Sequence, residues 1–233
     1  MIPPVRRIEG STYENHCARF HVSTLPHISD HRHVASAVAG AVHFHLPALL
    51  YSRRVDARDE LRRHIIDKAI IRGKITLSSG READYYVDLR RITLDGAAAP
   101  LVGDVMLELA DGLPFDAVGG LTLGADPVAT AMVHAAYHRG RRIDAFVVRK
   151  GEKQHGLRRQ IEGPDVAGRR VLAVEDTSTT GGSVLTAVEA LRAAGANVVA
   201  VAVIVDRDTG ARERVEAEGL EYRAAYGLTD LGL

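Results

Sequence analysis

The sequence predicts an α/β protein built on a parallel sheet with helices on its faces. Two observations carry this expectation. The runs FDAVGGL, IDAFVVR, RRVLAVE and NVVAVAVIVDR are apolar nearly throughout, as strands covered on both faces are. Stretches with helical spacing, DPVATAMVHAAYHRG and SVLTAVEALRAAG, stand among them, so strand and helix alternate along the chain. The 233 residues, 46% hydrophobic and 26% charged, supply one full core and leave room for an appendage.

In chain order, residues 1–54 read as an N-terminal extension expected to be disordered. Seven of the eleven histidines fall there without a repeating spacing, and scattered histidines rarely make a metal site. Its most apolar part, VASAVAGAVHFHLPALLY, is broken by His43, His45 and Pro47 and begins too late for a signal-peptide core. Translation is therefore expected to start near Val55, and the folded domain to occupy 55–233. DARDELRRHIIDKAIIRG then places Leu61, Ile65, Ile66, Ala69 and Ile70 on one helical face, with Gly73 as the expected stop. KITLSSGREADYYVDLR gives two strand-like runs around SGREAD, a hairpin or small hood. APLVGDVMLELAD returns to helical spacing before the alternating core begins.

Charge and cysteine use narrow the function classes. Thirty basic residues balance thirty acidic ones, so no global field favours nucleic acid or an anionic membrane. No apolar run reaches the 18 residues that suggest a membrane span. The single Cys17 cannot form an internal disulfide, which fits a cytoplasmic setting.

In parallel α/β sheets ligands sit beyond the carboxyl ends of the strands, so the residues directly after each apolar run are the informative ones. After VLAV come Glu175 and Asp176, then Thr177, Ser178, Thr179, Thr180, Gly181, Gly182 and Ser183, where a helix begins. Hydroxyls and backbone N–H groups backed by a helix dipole suit a phosphate. The loop lacks both GxGxxG and GxxxxGK[ST], so it is not a common nucleotide loop. Two carboxylates before it would repel a polyphosphate, yet they accept hydrogen bonds from vicinal hydroxyls and favour cationic character on a sugar ring. The stretch therefore suits ribose 5-phosphate. The plainer alternative is a β-to-α turn whose hydroxyls merely cap the helix.

Three further segments follow strands or precede the sheet. VVRKGEKQHGLRRQIEG crowds Arg149, Lys150, Lys153, His155, Arg158 and Arg159 between glycines and has no aromatic for base stacking. It reads as an anion-closing lid rather than a nucleic-acid patch, with a solvated loop as the bland competitor. In GGLTLGADPVAT, Asp126 and Pro127 are the expected N-cap and first helical residue, leaving Gly119 to Ala125 as a tight loop. Arg207, ending NVVAVAVIVDR, can pair bidentately with a carboxylate, unless it is spent on Asp206 or Asp208.

The VEDTSTTGG stretch resembles the phosphoribosyl-diphosphate signature of type I phosphoribosyltransferases. RKGEKQHG is similar to the RKxxKxHG loop of the orotate phosphoribosyltransferases among them, and TLSSGR to their TLKSGR element. The resemblance covers about residues 56–232 and implies the type I fold with an N-terminal hood. It implies Lys153, His155 and Asp176 as catalytic residues. Phosphoribosyl diphosphate would be held by Arg149, Lys150, Lys153, His155 and Glu175 through Ser183, and orotate by Thr179, Arg207, Tyr85 and Tyr86. It also implies a homodimer with shared active sites. Mg2+ would be carried on the substrate, with no ligand directly from the protein. Two positions depart from the family pattern: Ser78 and Leu123 stand where many relatives carry lysine. Both departures remove cations, and they leave room for two alternatives: a phosphoribosyltransferase for another base, or a non-enzymatic regulator that binds RNA.

Overall fold

The computed structural model describes residues 57–76, 82–151 and 160–233, which include both sheets and the helices around them. The N-terminal extension, the expected start near Val55 and Ser78 lie outside the described residues.

Helix α1 covers 57–64 and runs into a π-helical turn at Ile65–Ala69. Leu61, Ile65 and Ala69 are fully buried, as the helical spacing predicts. The helix does not continue to Gly73. The β-branched pair Ile70 and Ile71 opens strand β1 (Ile70–Thr76), which pairs antiparallel with β2 (Glu82–Val87). Gly73 instead lies where the β1–β2 register shifts, at φ +136°, a backbone that residues with a Cβ avoid. The two strands form a separate small sheet, the expected hood.

The hood leads through a short helix α2 (Arg90–Thr93) to α3 (Ala99–Leu109). The main body then follows as β3 (Ala117–Leu121), α4 (Ala125–His138), β4 (Asp144–Val148), β5 (Ile161–Glu162) and β6 (Arg170–Ser178). It ends with α5 (Gly182–Ala193), β7 (Asn197–Asp206), α6 (Ala211–Ala217), β8 (Glu221–Tyr226) and a 3-10 turn at Thr229–Leu231. The six strands are ordered β5-β4-β3-β6-β7-β8, all parallel except the two-residue β5 at the edge.

Successive residues of the central strands face two different cores with a period of two. Leu172, Val174, Ala200, Ala202 and Ile204 face one core, shared with α1, α3 and α4. Val171, Ala173, Val201 and Val203 face the other, shared with α5 and α6. Covering both faces explains why these strands read as unbroken apolar runs. The opening helix is fixed to the far edge of the sheet: the Tyr226 hydroxyl donates to the Arg58 carbonyl at 2.6 Å, and the Arg58 guanidinium lies 4.9 Å from the Tyr226 ring centre.

The strand order reverses between β3 and β6. Chain leaving β3 turns into α4 on one face, and chain leaving β6 turns into α5 on the other, so the two connections part and open a crevice at the carboxyl end of the sheet.

Candidate active site

The loop after β6 forms the floor of this crevice. Glu175, Asp176 and Thr177 are half-buried, Ser178 is buried, and Thr179 and Thr180 are exposed. Gly181 adopts φ +73°, the left-handed turn that swings the chain into α5. No side chain caps α5, so its hydroxyl neighbours are not used as helix caps and its first N–H groups remain available. That removes the plain capping reading. The Thr177 hydroxyl oxygen is buried and has no hydrogen-bond partner among the described residues, which leaves it open to a ligand, whereas the buried Ser178 hydroxyl lies against Tyr222.

The rim of the loop is braced from the neighbouring strand. The Arg207 N–H donates to the Ser178 carbonyl at 2.9 Å, and the Arg214 guanidinium to the Thr180 carbonyl at 2.7 Å. The Thr209 hydroxyl donates to the Thr179 carbonyl. Sequence reasoning missed Thr209 and Arg214; the only trace of them is their position just beyond the IVDR strand end.

The two acids differ in their surroundings. Burial first, and the adjacent Asp176 charge second, push Glu175 up to about 7, with the Ser183 hydroxyl pulling the other way. Burial likewise raises Asp176, against the Thr177 N–H that donates to it at 2.7 Å and the positive charge of Arg90. A pair of carboxylates withheld from water gains from any ligand that donates hydroxyl hydrogens to it.

The loop after β3 meets Asp176 directly. A Cβ on Gly124 would lie 2.6 Å from the Asp176 Oδ1, so only glycine lets the two strand ends close on each other. The Thr122–Leu123 peptide is cis. Asp126 is not the N-cap: α4 begins earlier, at Ala125 after Gly124, and Asp126 sits in its first turn. There it accepts a hydrogen bond from the Thr122 hydroxyl at 2.7 Å, which folds the loop back on its helix. Leu123 is 60% exposed.

Arg149 and Lys150 follow β4 at the same end of the sheet. The base of the expected lid is pinned, because the Arg149 N–H donates to the Gln160 carbonyl at 2.8 Å and the Arg149 guanidinium lies 3.7 Å from Glu162. Lys153 and His155, between these ends, lie outside the described residues. Arg207 follows β7 with its guanidinium 5.8 Å from the Tyr85 ring centre. Among the described residues it makes no ion pair with Asp206 or Asp208, and its Nε has no partner. Tyr86, the next residue of β2, reaches Arg90 instead, at 3.5 Å from its Nη2. The structure thus gathers Glu175 to Ser183, Arg207, Tyr85 and Tyr86 around the strand ends and adds Asp88 and Arg90, which sequence reasoning passed over.

Residues 98–219 match the phosphoribosyl transferase domain family. The chain is 69% identical over 179 residues to an orotate phosphoribosyltransferase of Streptomyces avermitilis, covering 76% of this chain and 98% of that protein. Among solved structures, it is similar to Mycobacterium tuberculosis orotate phosphoribosyltransferase in complex with Fe(III) dicitrate. That match has 59% identity and a TM-score of 0.70, and covers 76% of this chain and 99% of that one. The same enzyme in complex with 5-phospho-alpha-D-ribosyl 1-diphosphate matches at 56% identity with a TM-score of 0.67, again over 76% and 99% of the two chains.

Proposed function

Since the chain belongs to the phosphoribosyltransferase family, with orotate phosphoribosyltransferases as its relatives, we propose that the strand-end crevice is where ribose 5-phosphate passes from phosphoribosyl diphosphate to orotate. The products are orotidine 5'-phosphate and diphosphate, and the reaction belongs to pyrimidine biosynthesis. One observation carries the assignment of the site: the half-buried acid pair Glu175 and Asp176 stands directly before a hydroxyl- and glycine-rich turn into a helix whose first N–H groups no side chain caps.

The chemistry follows from that order of groups. The 5-phosphate sits on Thr177 to Ser183, and the ribose hydroxyls donate to Glu175 and Asp176. As the bond from C1' to the diphosphate oxygen lengthens, its electron pair leaves with diphosphate and the ring gains positive charge that the two carboxylates stabilise. The N1 of orotate then forms the new bond to C1' as its N–H proton is lost to the departing diphosphate. Orotate's own charge lies on its carboxylate, so that group serves to orient the ring over C1'. Arg207, beside Tyr85 and with a free Nε, is placed to hold the orotate carboxylate, and Thr179 and Tyr86 complete the pocket. Arg149, Lys150, Lys153 and His155 meet the departing diphosphate. Magnesium would be carried by the hard diphosphate and ribose oxygens of the substrate rather than by a protein cage, and there would offset the diphosphate charge.

The assembly we propose is a homodimer with shared active sites. A groove of about 1520 Å3 runs between α3 and α4 and is lined by Leu94, Leu101, Leu123 and Pro127 among others. Leu94 is 70% exposed, a large apolar side chain in want of cover. Leu123 belongs both to this groove and to the loop touching Asp176, so a second copy seated there would reach the crevice. We place the reaction in the cytoplasm on the strength of the single Cys17; among the described residues no helix is long and apolar enough to cross a membrane.

The test is the loss of orotate absorbance with phosphoribosyl diphosphate and Mg2+, run beside Lys153→Ala and a panel of purine bases. Turnover of orotate that collapses in the variant is the expected result. Consumption of a purine with orotate untouched would overturn the acceptor assignment.

A further inference from the structure

Arg90 stands where the hood hands the chain back to the main body, as the first residue of α2. Its Nε donates to Asp88 Oδ1 at 2.8 Å, and its Nη2 lies 3.5 Å from the Tyr86 hydroxyl. The side chain remains 47% exposed. A guanidinium carries five N–H donors, so these two contacts leave three for a ligand, fixed in direction by two neighbours. The charge acts across the crevice on Asp176, whose Oδ1 would touch a Cβ on Gly124 of the β3 loop. The hood's end, through Arg90, and the β3 loop, through Gly124, thus both bear on Asp176.

Among the described residues near Asp176, Glu175 and Asp88 are acidic, Leu123 contributes no charge, and Arg149 lies 3.7 Å from Glu162, so Arg90 would add to the cations that follow β4. Arg207 lies beside Tyr85, on the other residue of the hood strand. A guanidinium whose charge acts on Asp176 is within reach of the diphosphate of a sugar held by that acid, and a planar fork matches two phosphate oxygens at once.

We propose that Arg90 binds the diphosphate of phosphoribosyl diphosphate, supplying the cation that Leu123 does not. This rests on the crevice being a phosphoribosyl diphosphate site. Asp88 then has a second role: it holds the guanidinium in the free enzyme and competes with the incoming diphosphate for it.

The experiment is titration calorimetry of pyrophosphate with Mg2+ on the full chain, with KM values for both substrates alongside. Arg90→Gln should weaken pyrophosphate about tenfold or more and raise the KM for phosphoribosyl diphosphate in step, as loss of a charge-assisted hydrogen bond does. The KM for orotate should stay within about twofold, since Arg90 makes no contact with the base in this assignment. Arg90→Lys should fall between, because an ammonium keeps the charge and loses the fork. Asp88→Asn should leave pyrophosphate binding unchanged or tighter. If Arg90→Gln and Asp88→Asn weaken pyrophosphate alike, the pair is structural and the inference fails. It also fails if the loss falls on orotate, or if Arg90→Gln binds pyrophosphate like the wild type. Should Arg90→Gln not fold, Arg90→Lys and Asp88→Asn decide it, and equal affinity in Arg90→Lys and wild type would overturn it. Wild-type protein that binds no pyrophosphate would instead overturn the reading of the crevice itself.

Discussion

At Glu175, burial and the neighbouring carboxylate hold the group near 7, so the free protein at neutral pH is divided between the two protonation states. Ribose hydroxyls donate to the ionised form, so substrate binding drives the proton off. Calorimetry in buffers of different ionisation enthalpy should show release of close to one proton at pH 6, fading above pH 8, and Glu175→Gln should abolish it. Affinity for phosphoribosyl diphosphate should rise with pH through the same window. The effect on stability has the opposite sign. Because the folded value exceeds the ordinary 4.5, the native state binds more protons than the unfolded chain between 4.5 and about 7. Stability therefore falls as pH rises through that range, by on the order of 3 kcal/mol, measurable as a falling urea midpoint that Glu175→Gln flattens. Arg207 makes a prediction of a different kind. Replacing it with Gln leaves the sugar and phosphate contacts in place and removes a charged donor to the base. The KM for orotate should rise roughly ten- to a hundredfold, while that for phosphoribosyl diphosphate changes little.

Between helices, α3 and α4 come close at Gly103, where a Cβ would lie 2.3 Å from the Ala131 carbonyl oxygen. Alanine favours a helix by about 1 kcal/mol over glycine, but here the obstacle is backbone and cannot swing aside. Sterics should win: Gly103→Ala should cost about 1–3 kcal/mol in urea unfolding despite its better propensity. The spacing that announced α3 gives no sign of this contact, because a sequence shows which face is apolar but not how near the facing helix comes. The same limit divides what was legible. The central strands and α4 and α5 were readable because both faces of the sheet are covered and the apolar runs are unbroken. Strand β8 and helix α6 were not, since EYRAAY lies at the sheet edge and tolerates polar residues, and α6 is two turns long. Gly73 misled because glycine ends helices and marks strand irregularities equally well. Within the site, Glu175 to Ser183 and Arg207 were readable as strand ends. Arg90 was not, because the role proposed for it depends on its charge meeting Asp176, distant in the sequence, a tertiary fact.

Across the molecule, the α3–α4 groove and the crevice share Leu123, so assembly and activity are expected to fail together. Leu94→Asp places a charge on an exposed apolar side chain of the groove and should shift the proposed dimer to monomer by sedimentation velocity. Turnover per chain should fall with it and recover partly at high protein concentration. The remaining feature of this scale is the separation of the two sheets. In the proposed site, sugar and phosphate are handled at the ends of the six-stranded sheet, while the acceptor is gripped from both sheets: Arg207 and Thr179 follow strands of the larger sheet, and Tyr85 and Tyr86 belong to the two-stranded hood, with no strand shared between them. Trading one heterocycle for another therefore asks for changes on two separate sheets at once, and variation confined to the hood leaves the carboxylate reader in place.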